Sequence, residues 1–135
     1  MIIFTIPITP IGKARARITR NGHAYTPAKT VAHEQAIARY GRQAMVRNAL
    51  QPITGPIMLG LRFVMPIPAS WPKRKRDQAE AGQIDHVSKP DLDNLVKCCD
   101  GLNGIVWKDD AQITRLAAVK VYGLCPRIEV EVEAV

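Results

Sequence analysis

The sequence has 135 residues, of which 47% are hydrophobic and 23% charged, and a formal net charge of +7. That is the length of one domain with a real core and an ordinary globular composition, and no segment approaches the apolar length of a membrane span. The cysteines (Cys98, Cys99, Cys125) are odd in number and form no C-x-x-C, and the histidines (His23, His33, His86) lack ligand spacing. A disulfide framework and a structural zinc site are therefore poor readings, and the cysteines are expected to be buried and reduced.

The opening MIIFTIPITP lacks a basic n-region and is broken by prolines, so residues 2–8 read as an alternating strand and a soluble cytoplasmic protein is expected. Residues 10–27 are basic and turn-rich, with Asn21-Gly22 predicting a small hairpin between RIT and HAYT. Thr26 or Thr30 is placed to cap a helix over 28–48, with Val31, Ala38 and Met45 on its apolar stripe. Arg39, Arg42 and Arg47 fall on its polar side, as a solvated face or a phosphate-facing one. Residues 56–66 read as a second long strand. A basic mobile loop is expected over 67–89, carrying Lys73-Arg74-Lys75-Arg76 and a short helix near 74–82. Trp71 is read there as an anchor for the loop, and Trp107 as core. Residues 112–122 and 127–135 read as two strands joined as a hairpin by Gly-Leu-Cys-Pro, with Ile128, Val130 and Val132 inward and Glu129, Glu131 and Glu133 outward.

Charge is unevenly spread. Residues 1–50 hold eight Lys/Arg and one acid, residues 51–90 six and three, and residues 91–135 five and eight. A basic first half beside a compact acidic cluster suggests a polyanion partner with a local demand for carboxylates.

Five aspartates lie within SKPDLDNLVKCCDGLNGIVWKDD, residues 88–110. Leu92, Leu95, Val96, Cys99 and Leu102 have the spacing of an amphipathic helix of about three turns, entered at Pro90 and stopped at Asn103-Gly104. In regular helix Asp91 and Asp93 diverge by about 200°, so they converge only if Asp91 is still extended at the cap, which Pro90 favours. If residues 105–109 return extended, they retrace the roughly 15 Å of the helix and bring one of Asp109 and Asp110 level with Asp91 and Asp93. Helix capping explains one aspartate. Three converging carboxylates repel one another, raise a pKa or need a cation, and a hard cation such as Mg²⁺ resolves that conflict. The missing glycine and further oxygen ligands exclude an EF-hand.

The pattern K-P-D-L-D-N-L-x-K…D-x-L-N-G-I-V-W-x-D-D-x-Q-I at 89–113 resembles the RusA family of Holliday-junction resolvases. G-K-A-R-A-R near residue 12, A-Y-T-P at 24–27 and the basic loop extend the likeness. The resemblance implies a homodimer that binds four-way DNA junctions and nicks two strands symmetrically with Mg²⁺, Mn²⁺ being a possible substitute. It places the metal-binding carboxylates on Asp91, Asp93 and Asp110, and the functional lysine on Lys97. Lys13, Arg15, Arg17, Arg20, Lys73, Arg74, Lys75, Arg76 and Lys89 are the candidates for DNA contact.

The expected architecture is a mixed α/β (α+β) single domain over 1–135, with about four strands in a mixed sheet and two main helices. Two competing classes stay open: a non-catalytic basic module that binds junctions or duplex, and a metal-dependent nuclease acting on other branched DNA or on RNA.

Overall fold

The computed structural model describes residues 1–135. In chain order its elements are β1 (Ile2–Ile6), β2 (Arg17–Ile18), β3 (Ala24–Tyr25), α1 (Ala28–Arg47), β4 (Ile57–Pro66), α2 (Lys73–Glu80), α3 (Leu92–Lys97), β5 (Ile113–Gly123) and β6 (Arg127–Ala134). Short 3₁₀ helices cover Cys98–Leu102 and Asp110–Gln112. No helix is long and apolar enough to cross a membrane. The chain forms two compact units: Met1–Pro10, Gly55–Lys89 and Ile113–Val135 make the first, and Ile11–Thr54 with Pro90–Gln112 the second.

The first unit is built on a four-stranded mixed sheet of order β1-β6-β4-β5. β6 runs antiparallel to both β1 and β4, while β4 and β5 are parallel. Alternation sets the faces: Ile2, Phe4, Ile6, Leu59, Leu61, Phe63, Ile128, Val130 and Val132 are buried. Arg62 and Glu129 stand on the opposite face in register, 3.7 Å apart. The hairpin pairing expected of β5 and β6 is not formed, because β4 lies between them. β4 has ten residues, most of them buried, and it takes the centre of the sheet. Leu124–Pro126 then bridge two strand spacings, about 10 Å, which three extended residues can span. The exposed position of Cys125 on this connection corrects the expectation that all three cysteines are buried.

Within residues 67–89 the chain forms α2, and Trp71 is tied down before it. Its ring meets Tyr122 edge-on at 5.2 Å, Lys75 lies 3.9 Å over it, and its carbonyl accepts the Arg76 Nε–H at 3.0 Å. The anchoring role is the one the geometry displays.

In the second unit the Asn21-Gly22 turn closes the small β2–β3 hairpin, pairing Arg17 with Tyr25 and Ile18 with Ala24. α1 begins after Pro27 without a side-chain cap. Thr30 does not cap it; its buried hydroxyl accepts the Ala14 N–H at 3.3 Å instead. The buried stripe of α1 is Thr30, His33, Ile37, Gly41, Ala44 and Met45, so Val31 and the half-buried Ala38 are outside it. That face packs on the 3₁₀ segment Cys98–Leu102. The single three-turn helix expected over 91–103 is thus a six-residue α-helix that tightens after Lys97. Close approach explains the tightening, since a Cβ on Gly101 would lie 2.7 Å from the Glu34 carbonyl oxygen. The tighter turn brings Cys98 into the buried row with Leu95, Cys99 and Leu102. Burial pushes the Cys98 thiol up to about 11, with Glu34 adding to it, and raises Cys99 further.

His86, in the first unit, is buried against Tyr122 at 4.7 Å between ring centroids, and its Nδ1 has no hydrogen-bond partner. Burial first, and the Lys120 charge second, hold its pKa below the ordinary value. A depressed folded pKa means that the unfolded chain binds the proton more tightly. The stability His86 contributes is therefore complete above the unfolded value of about 6.5 and is lost as pH falls through the folded one. The melting temperature should drop between pH 7.5 and pH 5 more steeply in the wild type than in His86→Phe. Parallel melting curves would remove His86 as the cause.

Candidate active site

The second unit carries Asp91, Asp93, Lys97 and Asp110 together with Lys13, Arg15, Arg17 and Arg20. Pro90, whose fixed φ and missing N–H suit the entry to a helix, is followed by Asp91 at φ −65° and ψ 148°, extended, and α3 starts one residue later. Asp91 is therefore the N-cap residue and Asp93 lies in the first turn, the arrangement their convergence requires. The Asp91 carboxylate makes no cap hydrogen bond, so helix capping does not account for it.

Residues 11–16 lie along this turn. A Cβ on Gly12 would stand 2.9 Å from Pro90 Cβ and 3.4 Å from Asn94 Cβ, so glycine permits the approach. Four further contacts fix the strip. Lys13 N–H donates to the Asn94 carbonyl at 3.1 Å, and Ile11 N–H to His33 Nε2 at 3.3 Å. Ala14 N–H donates to Thr30, and the Cys98 thiol to the Ile11 carbonyl at 2.8 Å. The result is a pocket of about 410 Å³ lined by Lys13–Ala16 on one side and Asp91, Asp93, Asn94 and Lys97 on the other.

Its charges are not equally available. Lys13 Nζ is 3.1 Å from Glu34 and 3.3 Å from Asp100. The Glu34 hydrogen bond, with Asp100 behind it, holds its pKa above the ordinary lysine value despite partial burial. Lys97 lies 3.9 Å from Asp93 Oδ2, a loose and exposed i, i+4 pair of small energetic weight. Arg15, Arg17 and Arg20 are exposed. In the first unit Lys73 pairs with Asp77 at 3.1 Å, Lys75 and Arg76 are engaged with Trp71, and Arg74 is exposed. Lys89 belongs to that unit as well.

The extended return from Ile105 to Asp109 is not formed. Ile105 and Val106 both donate to the Leu102 carbonyl and Gly104 to that of Trp107, so the chain turns there. Asp110 is not among the residues that line the pocket, and no three His, Cys, Asp or Glu side chains converge closely enough to hold a metal ion. Asp109 and Asp110 are nonetheless told apart. Asp109 accepts the Ala111 N–H at 3.0 Å, an ordinary turn contact. Asp110 Oδ1 accepts the indole N–H of the buried Trp107 at 2.8 Å. Glu34 and Asn94 were not anticipated. Asn94 stands three residues after Asp91 within the same motif, whereas nothing in the sequence ties Glu34 to Lys13.

The endodeoxyribonuclease RusA family pattern matches residues 7–133. The chain belongs to the RusA family. The match spans both units and supports a nuclease role. A relative in Bacillus subtilis (strain 168), the uncharacterized protein YqaN, is 36% identical over 140 residues, covering 99% of this RusA protein and 96% of the relative.

Two outcomes follow from the geometry. Gly12→Ala should lift residues 11–16 from α3, costing about 1–3 kcal/mol in denaturant unfolding and most of any nuclease activity. Trp107→Phe keeps a buried ring but removes the N–H, so it should cost about 1–2 kcal/mol and lower activity at least tenfold. Full activity in Trp107→Phe would show that the indole does not position Asp110 for function.

Proposed function

We propose that this RusA protein is a divalent-metal-dependent, structure-selective endodeoxyribonuclease that resolves four-way DNA junctions by paired symmetric nicks, working as a homodimer of one RusA-like domain per chain. The observation that carries the reading is the pocket in which Asp91 and Asp93 meet Lys13, Arg15 and Lys97. The donor set suits a hard cation in kind, being carboxylate oxygen throughout, and two of its three members share the pocket. Asp91, Asp93 and Asp110 would hold it. Mg²⁺, or Mn²⁺ in its place, supplies Lewis-acid polarisation of a phosphate oxygen and a water of lowered pKa.

The remaining roles belong to the chain. Lys97, beside Asp93, offsets carboxylate repulsion and supplies positive charge where a phosphate gains negative charge. Lys13, already neutralised by Glu34 and Asp100, shapes the pocket wall more than it adds charge. Arg15, Arg17 and Arg20 contact phosphates from the same unit, and Arg74 and Lys89, with the engaged Lys73, Lys75 and Arg76, from the other. Two equivalent pockets in a two-fold dimer match two symmetric nicks on a junction of like symmetry.

One observation favours a second reading, a non-catalytic junction- or duplex-binding module: Asp110 does not line the pocket. Cleavage of a labelled mobile junction and of linear duplex, with Mg²⁺ or with EDTA, decides between them. Paired nicks in the junction alone, requiring metal, are expected. Asp91→Asn, Asp93→Asn and Asp110→Asn should each slow them at least about 100-fold while leaving junction binding in place. Binding without nicking would establish the module, and equal cutting of all substrates would retain the nuclease but discard junction selectivity.

A further inference from the structure

We propose that the exposed face of α1 carrying Arg39, Arg42 and Arg47 is a track for the phosphate backbone of a duplex DNA arm, separate from the acidic pocket. The proposal takes the identity of the polyanion from the nuclease reading above.

At about 100° per residue the three arginines fall within about 140° of arc. Gln43 and Val46 lie between them, and all five side chains line one shallow groove on the helix surface. The opposite side of α1 is its buried stripe, so the arginine face is held outward on a 20-residue element. Val46, at its middle, is 80% exposed.

Acids three or four residues from the bases of a helix face would pair with them and offset their charge. No position three or four residues from Arg39, Arg42 or Arg47 is acidic. The single acid of α1, Glu34, is turned to Lys13. Arg39 and Arg42, three apart, face each other as like charges. None of the three arginines forms an ion pair, and the one other contact is Arg39 lying 5.5 Å over the neighbouring Tyr40 ring. α2 offers the contrast within this chain: its KRKR run is as basic, yet Lys73 pairs with Asp77, and Lys75 and Arg76 are engaged with Trp71.

Arg39 to Arg47 spans about 12 Å of helix axis, and duplex DNA presents one phosphate per roughly 1.7 Å of its own axis. Several phosphates thus pass within reach of the track. Guanidinium suits them through its paired N–H groups. Contacts to phosphate carry no base information, so binding through this track is independent of sequence.

The test is equilibrium binding of the full chain to labelled duplex and to a labelled four-way junction, in EDTA, across a salt series. The variants replace Arg39, Arg42 and Arg47 together with Gln or together with Lys, and circular dichroism confirms the fold. The Gln variant should flatten the slope of log K against log salt by about 2–3 units. A rise from about 50 to about 200 mM salt then costs it about 40-fold less affinity than it costs the wild type. The Lys variant should keep the wild-type slope. An unchanged slope in the Gln variant would overturn the proposal, as would a Lys variant as flat as the Gln one or a wild type that binds neither DNA. Tighter, arginine-dependent binding to phosphatidylserine vesicles than to duplex would overturn it in favour of a membrane surface. Since binding is read without metal, a protein that never cleaves would lose the nuclease reading while this result stood. Normal cleavage with an unchanged slope would remove only the track.

Discussion

The candidate site depends on how closely residue 12 can approach residues 90 and 94. Any side chain at Gly12 would run into the Pro90 ring, with Asn94 already at contact distance. Because the approach is allowed, the Lys13 N–H reaches the Asn94 carbonyl, and Ile11 and Ala14 reach His33 and Thr30 on α1. A single extended strip is thereby stitched to two helices at once. Pro90 stands at the same point on the other partner, just ahead of the extended Asp91, and α3 opens there beside the strip. The basic and acidic walls of the pocket come from segments nearly eighty residues apart, and a glycine and a proline bring them together.

The charge pattern makes sense once the cations are separated by what they already touch. Lys13 satisfies Glu34 and Asp100 and ties the strip to α1 and the 3₁₀ segment, so its raised pKa records structural use. Much of the KRKR run is similarly occupied. The cations that are exposed and in no ion pair are less conspicuous, among them Arg15, Arg17 and Arg20 on and after the strip, Arg74 on α2, and Arg39, Arg42 and Arg47 of α1. A net charge of +7 therefore overstates some positive regions and hides others, because formal charge does not record pairing.

What was legible in the sequence was what local periodicity and backbone chemistry decide. The four main strands, α1, the Asn-Gly hairpin and the helix start just after Pro90 follow from period-2 alternation, helical spacing, turn chemistry and proline's place at helix entries. What was not legible depended on contacts between distant segments. A short turn between β5 and β6 reads as a hairpin, but the apolar β4 takes the position between them. Thr30 reads as a cap, but it meets Ala14. The continuous helix through Leu102 reads well from its stripe, but Gly101 meets the Glu34 carbonyl and the helix tightens. The motif spacing told that acids gather on one segment without telling by what route the chain reaches the last of them.

That last acid shows how far neighbours can diverge. Asp109 and Asp110 are chemically identical, and neither charge nor periodicity separates them. Trp107 does. Its ring is buried, its indole N–H must find an acceptor, and a residue three positions on, at the opening of a 3₁₀ turn, is within reach. Asp110 therefore has one oxygen fixed by a rigid donor, with its other oxygen still able to accept, while Asp109 is spent on the turn's backbone. A tryptophan that reads as core from its size thus also orients the Asp110 carboxylate. Within W-x-D-D the two aspartates differ because the indole bonds the second and the turn's backbone bonds the first.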